Sequence, residues 1–283
     1  MTTDEDGFRA RYGPWAVVAG ASEGVGAALA RSLAARGVHV VLLARRPAVL
    51  DEVAASIRAR AGVEARPVAV DLAGDDAMDR IVEATADLEV GLVAYCAGAD
   101  PNYEPFLANP VETALAMVQR NCAVPVRVCH HFAGPMAARG RGGIVLVGSG
   151  AGLVGAPNMV AYAASKAFDM VMGEALWAEL RDQGVDVLGL ILGVTDTPAL
   201  RRLLVRRGVL TGPDDDSPIP GAVSAEEVAE LAVANLANGP TWFVGDLLRD
   251  GAQQLGAIPR NDAVRLMIEM GGGIMGAGQE ATA

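Results

Sequence analysis

Short apolar runs rich in β-branched residues alternate along this chain with longer stretches in which alanine and leucine recur every three or four positions. The pattern predicts strands at 15–19, 38–43, 65–70, 90–95, 143–148, 185–191 and 241–244. It predicts helices at 24–36, 47–61, 75–86, 110–138, 158–181 and 224–237. Strand–helix alternation of this kind calls for right-handed crossovers. The expected fold class is therefore α/β, with a parallel sheet covered by helices on both faces.

At 283 residues the chain suits one large domain, 1–283, with a substantial core. No internal repeat or low-complexity linker divides it. Residues 251–283 extend past the last predicted strand. Within them Ala263, Val264, Leu266, Met267 and Met270 fall on the apolar face of one short helix, ahead of Gly271-Gly272-Gly273. A lid over a cleft, a subunit contact and a loosely packed tail are the alternatives for this extension.

Charge and composition narrow the function classes. A net charge of −11 argues against a nucleic-acid partner. The local cluster Arg201, Arg202, Arg206 and Arg207 is expected to be the solvated face of a short helix. Cys96, Cys122 and Cys129 form no Cys-x-x-Cys pair, which suggests reduced thiols and a cytoplasmic protein. His39, His130 and His131 lack metal-ligand spacing and are expected on helices, and Asp214-Asp215-Asp216 lies between prolines in an expected exposed loop. No metal site is expected. The acidic, polar start does not resemble a signal peptide, and no apolar run of about 20 residues predicts a membrane span.

Two segments carry chemistry. Lys166 is the only lysine in the chain, all other basic residues being arginine, and it ends the run Tyr162-Ala163-Ala164-Ser165-Lys166. Lysine is a compact ammonium on a flexible stem and arginine a wide planar fork, so the two do not interchange at a tight site. Four residues apart on a helix, Tyr162 and Lys166 share a face, and the ammonium biases the phenol towards phenolate. Such a tyrosine can act as a general acid or base near neutral pH. The second segment is Gly20-Ala21-Ser22-Glu23-Gly24-Val25-Gly26, between the first strand and the first strong helix. Glycines there let the main chain turn sharply, and the helix start offers unpaired N–H groups to a phosphate.

Together these elements resemble the short-chain dehydrogenase/reductase family, from about Gly13 to about Val244. Four further features match. Tyr95-Cys96-Ala97-Gly98 stands where the family usually has Asn-Asn-Ala-Gly. Asn121 takes the place of the family's catalytic asparagine, and Ser149 lies thirteen residues before Tyr162. Leu192-Gly193-Val194-Thr195-Asp196-Thr197 corresponds to the stretch that contacts the nicotinamide. The departures are Ala19 for threonine, Tyr95 and Cys96 for two asparagines, and Leu192 for proline; they bear on local geometry. The resemblance implies a doubly wound parallel seven-stranded Rossmann-type sheet, and a homo-oligomer, dimer or tetramer, built on the helices at 110–138 and 158–181.

It also implies roles. Tyr162 exchanges a proton with the carbonyl or alcohol oxygen, and Ser149 hydrogen-bonds the same oxygen. Lys166 holds the nicotinamide ribose, and Asn121 holds a water that links Lys166 to solvent. The expected cofactor residues are Gly20, Ser22, Glu23, Gly24, Val25, Gly26, Arg45, Asp71, Leu72, Ala97, Gly98, Tyr162, Lys166, Gly193, Thr195 and Thr197. At the end of the second strand Ala44 fills the position where NAD enzymes place an acid, and Arg45 follows it. This favours NADP(H) over NAD(H), since arginine accommodates a 2′-phosphate. Glu23 complicates that reading, because NADP enzymes often carry a basic residue nearby.

The expected substrate cleft is formed by Ala151, Leu153, Val154, Pro101, Tyr103 and residues 198–220, which are largely apolar. The opening Tyr12-Gly13-Pro14-Trp15-Ala16-Val17-Val18 is similar to ketosteroid and long-chain ketoacyl reductases. A bulky hydrophobic ketone or secondary alcohol, steroid-like or aromatic, is the expected small-molecule substrate. Two rivals are a non-catalytic dinucleotide-binding regulator and a fold-related dehydratase or epimerase. Regulators of this fold usually lose the tyrosine or lysine, and the epimerases need a longer substrate domain than the chain has room for after Val244.

Overall fold

The computed structural model describes residues 4–99, 103–212 and 214–270. Helix α1 (Asp4–Tyr12) leads into β1 (Trp15–Ala19), α2 (Gly24–Ala35), β2 (His39–Ala44) and α3 (Pro47–Ala61). β3 (Ala65–Ala69), α4 (Ala77–Thr85) and β4 (Val90–Tyr95) follow. One long helical rod then comprises α5 (Val111–Val118), a π-helical turn (Gln119–Ala123) and α6 (Val124–Arg139). β5 (Gly142–Ser149), α7 (Val160–Leu180) and β6 (Val185–Leu192) come next. Beyond them lie β7 (Thr195–Asp196), α8 (Pro198–Arg206), β8 (Val223–Ser224), α9 (Ala225–Asn235), β9 (Thr241–Phe243), α10 (Asp246–Gly256) and α11 (Arg260–Met270).

The main sheet has seven parallel strands in the order β3-β2-β1-β4-β5-β6-β9. Chain order reverses between β1 and β4, and in open α/β sheets ligands bind outside the carboxyl ends of the strands at such a switch point. Strand residues alternate between two cores. Ala16 and Val18 of β1 pack with Leu29 and Leu33 of α2, Ile57 of α3 and Val228 of α9. Trp15, Val17 and Ala19 face the other way, towards Ile81 of α4 and Val128, Phe132 and Met136 of α6. Each fully buried leucine of this kind stabilises the fold by about 1.5–3 kcal/mol relative to exposure.

The alternating elements lie where the pattern places them, within a residue or two at most ends. Two local expectations, the unbroken helix over 110–138 and the placing of His39, are corrected, and two others gain detail. The helix expected over 110–138 is broken in phase by the π turn, because Pro125 has no N–H to give the Asn121 carbonyl. The arginines at 201–207 are exposed or partly exposed, as expected of a solvated face, and they also find partners. Arg201 makes a two-pronged bond to Asp196 at 2.7 and 2.6 Å, Arg202 pairs with Glu23, and Arg207 donates to the Tyr103 carbonyl. His39 is on β2 rather than a helix, its Nδ1 accepting from the Glu64 N–H at 2.9 Å. The tail is helical to Met270, with Ala263 buried and Val264, Leu266 and Met267 partly so; 271–283 lie outside the described residues. Helices α1 and α10 were not expected at all.

Candidate active site

The glycine loop fills the switch point. Gly20 takes φ +84°, and a Cβ there would lie 2.9 Å from the Ala97 N, so the loop rests directly on the chain leaving β4. A Cβ on Gly26 would lie 2.3 Å from the Gly20 carbonyl oxygen, and Gly24 takes φ +56° against Thr197. Glu23, at the N-cap of α2, gives the helix no side-chain cap. The first N–H groups of a twelve-residue helix are therefore open to an anion. This cradle fits a dinucleotide pyrophosphate. Asp71, after β3, accepts from the Ala73 N–H at 3.0 Å and shapes the turn, with Leu72 buried behind it.

Two arginines meet Glu23 at the rim. Arg46 donates to it at 2.6 Å and to Ser22 Oγ at 3.2 Å, and Arg202 reaches it from α8. Burial pushes the Glu23 carboxyl up, but Arg202 and Arg46 outweigh that and hold it below the usual glutamate range. Arg45 is exposed. Sequence reasoning singled out Arg45, and the side chain that engages the loop is Arg46.

Hydrogen bonds tie Asn121 and Lys166 to the backbone elements that carry Tyr162 and Ser149. Asn121 is fully buried in the π turn, and its Nδ2 donates to Ser165 Oγ at 2.9 Å and to the Gly98 carbonyl at 3.3 Å. Ser165 Oγ in turn donates to the Tyr162 carbonyl at 2.8 Å. Lys166 Nζ donates to the Val147 carbonyl at 2.8 Å, two residues before Ser149 on β5. The 3₁₀ turn Gly150–Gly152 seats that strand end on α7: a Cβ on Gly152 would lie 2.6 Å from the Ala167 N and 2.8 Å from the Lys166 carbonyl oxygen. Ser149 Oγ accepts from the Ala151 N–H at 3.2 Å, which leaves its own O–H to donate. Gly98, at φ +133°, has no room for a side chain, since a Cβ would sit 2.9 Å from Asn121 Oδ1 and 3.2 Å from Lys166 Nζ.

The substituted residues after β4 have structural work here. Tyr95 OH donates to the Arg120 carbonyl at 2.5 Å and so anchors the π turn that carries Asn121. Arg120 Nε donates to Asn121 Oδ1 at 3.2 Å. Burial pushes the Cys96 thiol up to about 12, against the pull of Lys166, so it is inert near neutral pH. Sequence reasoning passed over Arg120, Ser165 and Asp169. Asp169 Oδ2 accepts from Lys166 Nζ at 3.0 Å; its only signal in the sequence was the three-residue spacing.

An apolar wall stands over Tyr162. Tyr103 meets its ring edge-on at 5.7 Å between centroids, and Met117, Leu200, Leu203, Leu204, Leu210 and Ile219 pack in the same cluster. Thr197 caps α8 by accepting from the Leu200 N–H at 3.2 Å, and Thr195 donates to the Gly193 carbonyl at 3.4 Å. Leu248 of α10 sits against Gly150 and Gly193, and Arg260 of α11 donates to the Leu153 carbonyl at 2.5 Å. The C-terminal helices thus border the turn that follows Ser149. Pro101 lies outside the described residues. Among the described residues no His, Cys, Asp and Glu group could hold a metal, and no helix is long and apolar enough to cross a membrane.

A glycine cradle for a dinucleotide, beside a partly buried serine and a buried tyrosine and lysine, defines a nicotinamide-dependent oxidoreductase of α/β fold. The chain belongs to the short-chain dehydrogenase family, whose model matches residues 14–206. It is 33% identical to a 7β-hydroxysteroid dehydrogenase of Clostridium sardiniense, over 93% of this chain and 97% of that protein. It is 30% identical to the human very-long-chain 3-oxoacyl-CoA reductase, over 78% of this chain and 70% of that one. A solved 7β-hydroxysteroid dehydrogenase structure superposes with a TM-score of 0.84 at 31% identity, covering 92% of this chain and 98% of that one. L-Sorbose reductase of Gluconobacter frateurii, solved with NADPH and L-sorbose, gives 0.73 at 26% identity, covering 83% and 95%.

Proposed function

We propose that this enzyme transfers a hydride between NADP(H) and a bulky hydrophobic ketone or secondary alcohol, with steroid-like compounds the leading class. The observation that carries the substrate class is the apolar cluster packed around Tyr162, with Tyr103 edge-on to its ring, so that the walls next to the phenol are hydrocarbon and aromatic rather than charged. The relatives that act on hydroxysteroids and very-long-chain oxoacyl groups support the same reading.

The cofactor supplies the hydride when bound. The loop Gly20–Gly26 and the N-terminus of α2 would hold its pyrophosphate, and Arg45 and Arg46 would offer charge to its 2′-phosphate. Lys166, Gly98, Gly193, Thr195 and Thr197 would hold the nicotinamide end. Tyr162 gives its phenolic proton to the carbonyl oxygen in reduction and takes it back from the alcohol in oxidation. Ser149 donates to the same oxygen, fixing its position and stabilising charge that develops there. Lys166 stands one helical turn from Tyr162 on the same face of α7 and brings the chain's single lysine ammonium to that end of the cleft.

A homo-oligomer fits the surface. Val111, Leu115 and Val118 of α5 and Val160, Phe168 and Val171 of α7 are exposed on neighbouring helices, an apolar face that a second copy of the chain would cover.

The decisive experiment follows NADPH and NADH oxidation against steroid, aromatic, aliphatic and acyl ketones. NADPH-dependent turnover of bulky hydrophobic ketones is expected. Turnover restricted to small polar ketones, or supported equally by NADH, would overturn the corresponding part of the reading.

A further inference from the structure

Lys166 does not meet the site alone. Its ammonium has three N–H groups. One goes to the Val147 carbonyl at 2.8 Å and one to Asp169 Oδ2 at 3.0 Å. Both side chains of the pair are only 5% exposed. Nζ lies beside Gly98, where a Cβ would be 3.2 Å away, which leaves the third N–H for the cleft. Asp169 Oδ1 is buried without a hydrogen-bond partner. A buried carboxylate with half its acceptors unused is costly to keep. The group that the carboxylate does engage is the lysine.

We propose that Asp169 is a positioning residue: it fixes the direction of the Lys166 ammonium and offsets part of its charge, and so sets how strongly Lys166 acts on Tyr162. The proposal rests on the reading of Tyr162 and Lys166 as the proton-transfer pair. Val147 and Asp169 together leave the ammonium one free direction. Without the carboxylate the ammonium stands uncompensated in a dry site, and its pull on the phenol, one turn back along α7, grows.

The groups facing this pair are few. From α7 itself there is Tyr162. Tyr95 of β4, Cys122 of the π turn and Cys129 of α6 all feel the Asp169 charge. Cys96, after β4, feels Lys166. Burial pushes the Tyr95 phenol and the three thiols upward, so all four stay neutral near pH 7. Burial also pushes the Asp169 carboxyl above the usual carboxylate range, against the pull of Lys166. Asp169 is therefore the one negative group acting on Lys166 among these neighbours.

The test has two readouts. In alcohol oxidation Tyr162 must be deprotonated, so activity rises with pH through a catalytic pKa. D169N should move that rising limb to lower pH by about one unit, the scale of a nearby charge, and D169E should move it back. The second readout uses the fact that the chain holds a single lysine. Lysine-specific ¹⁵N labelling gives one side-chain ammonium signal, which should be sharp and slow to exchange in the wild type and broadened in D169N. A D169N enzyme with an unshifted profile and an unchanged lysine signal would overturn the proposal, even with a lowered Tm. If the variants do not fold, the wild-type signal decides, because an ammonium exchanging as fast as free lysine is not held by Asp169. If no substrate turns over, the lysine signal still tests Asp169, and only the catalytic reading fails.

Discussion

The floor and the rim of the cleft each pair a cation with a carboxylate, in opposite surroundings. At the floor, Lys166 and Asp169 are each 5% exposed; at the rim, Glu23 is 25% exposed and its partners Arg46 and Arg202 about half so. A unit pair at 4 Å is worth about 1 kcal/mol in water and about 4 kcal/mol at an effective dielectric of 20. The floor therefore fixes both partners strongly and repays little net stability after desolvation. The rim holds its partners weakly and can exchange them, so that a phosphate can take the arginines Glu23 now holds. Position matters at the floor; charge matters at the rim.

The largest effect should come from exchanging charge for charge at the floor. Lys166→Arg keeps the positive charge but cannot fit between Val147, Asp169 and Gly98. Turnover should fall by at least about 100-fold, the low end of what a positioned proton-transfer group contributes. Wild-type turnover in this variant would erase the contrast between the two regions. The parallel exchange at the rim, Arg46→Lys, should change the NADPH dissociation constant only a few-fold.

Removing charge at the rim comes next. Arg45→Ala and Arg46→Ala should each weaken NADPH binding by about 1.5–3 kcal/mol, the scale of a hydrogen bond to a charged group. That is about one to two orders of magnitude in affinity, with NADH binding unchanged. Titration of both cofactors into both variants also separates the two arginines. A loss confined to Arg45→Ala would show that the contact of Arg46 with the loop is incidental.

The smallest effect belongs to Glu23→Gln. An exposed ion pair contributes about 0.2–1 kcal/mol and is screened by salt. The Glu23 carboxyl is held below its ordinary value of 4.5 in the fold. Its contribution to stability is therefore complete above that value and is lost as pH falls through the folded pKa. Wild type should be slightly the more stable near pH 7 at low salt, and the gap should shrink as pH falls below 4.5 or as salt is raised. A gap that widens on acidification would contradict the assignment.

The sequence is legible where spacing alone imposes geometry. Tyr162 and Lys166 share a helix face at any tertiary setting, and a glycine loop between strand and helix has few other uses. Asp169 and Arg46 were hidden for a reason that spacing cannot supply. An aspartate three residues after a lysine is an ordinary exposed helix pair until the fold buries it. Arg45 and Arg46 are neighbours, and only the turn after β2 decides which one faces Ser22 and Glu23. Helix α8 was half visible: Thr197 followed by Pro198 is a helix start, and its arginines read as a wet face, but their partners Asp196 and Glu23 lie outside the helix and could not be read from it. Helix α1 carries acid at its start and little apolar periodicity, and it acquires its place through Tyr12, which donates to Asp186 at 2.7 Å.

The π turn at 119–123 also sets a rotational phase. Each helical residue advances the azimuth by about 100°, and a π turn absorbs one extra residue. Val111, Leu115 and Val118 point outward before it, while Val124, Val128, Phe132 and Met136 point into the core after it. Counted through an unbroken α-helix, those two stripes would lie roughly a quarter turn away from opposition; the extra residue brings them to opposite sides. One rod thus shows its outer face to a neighbour along its first half and its inner face to the sheet along its second. Removing a single residue from the turn would regularise the helix and throw one half out of phase, so the bulge is fixed by both surfaces at once.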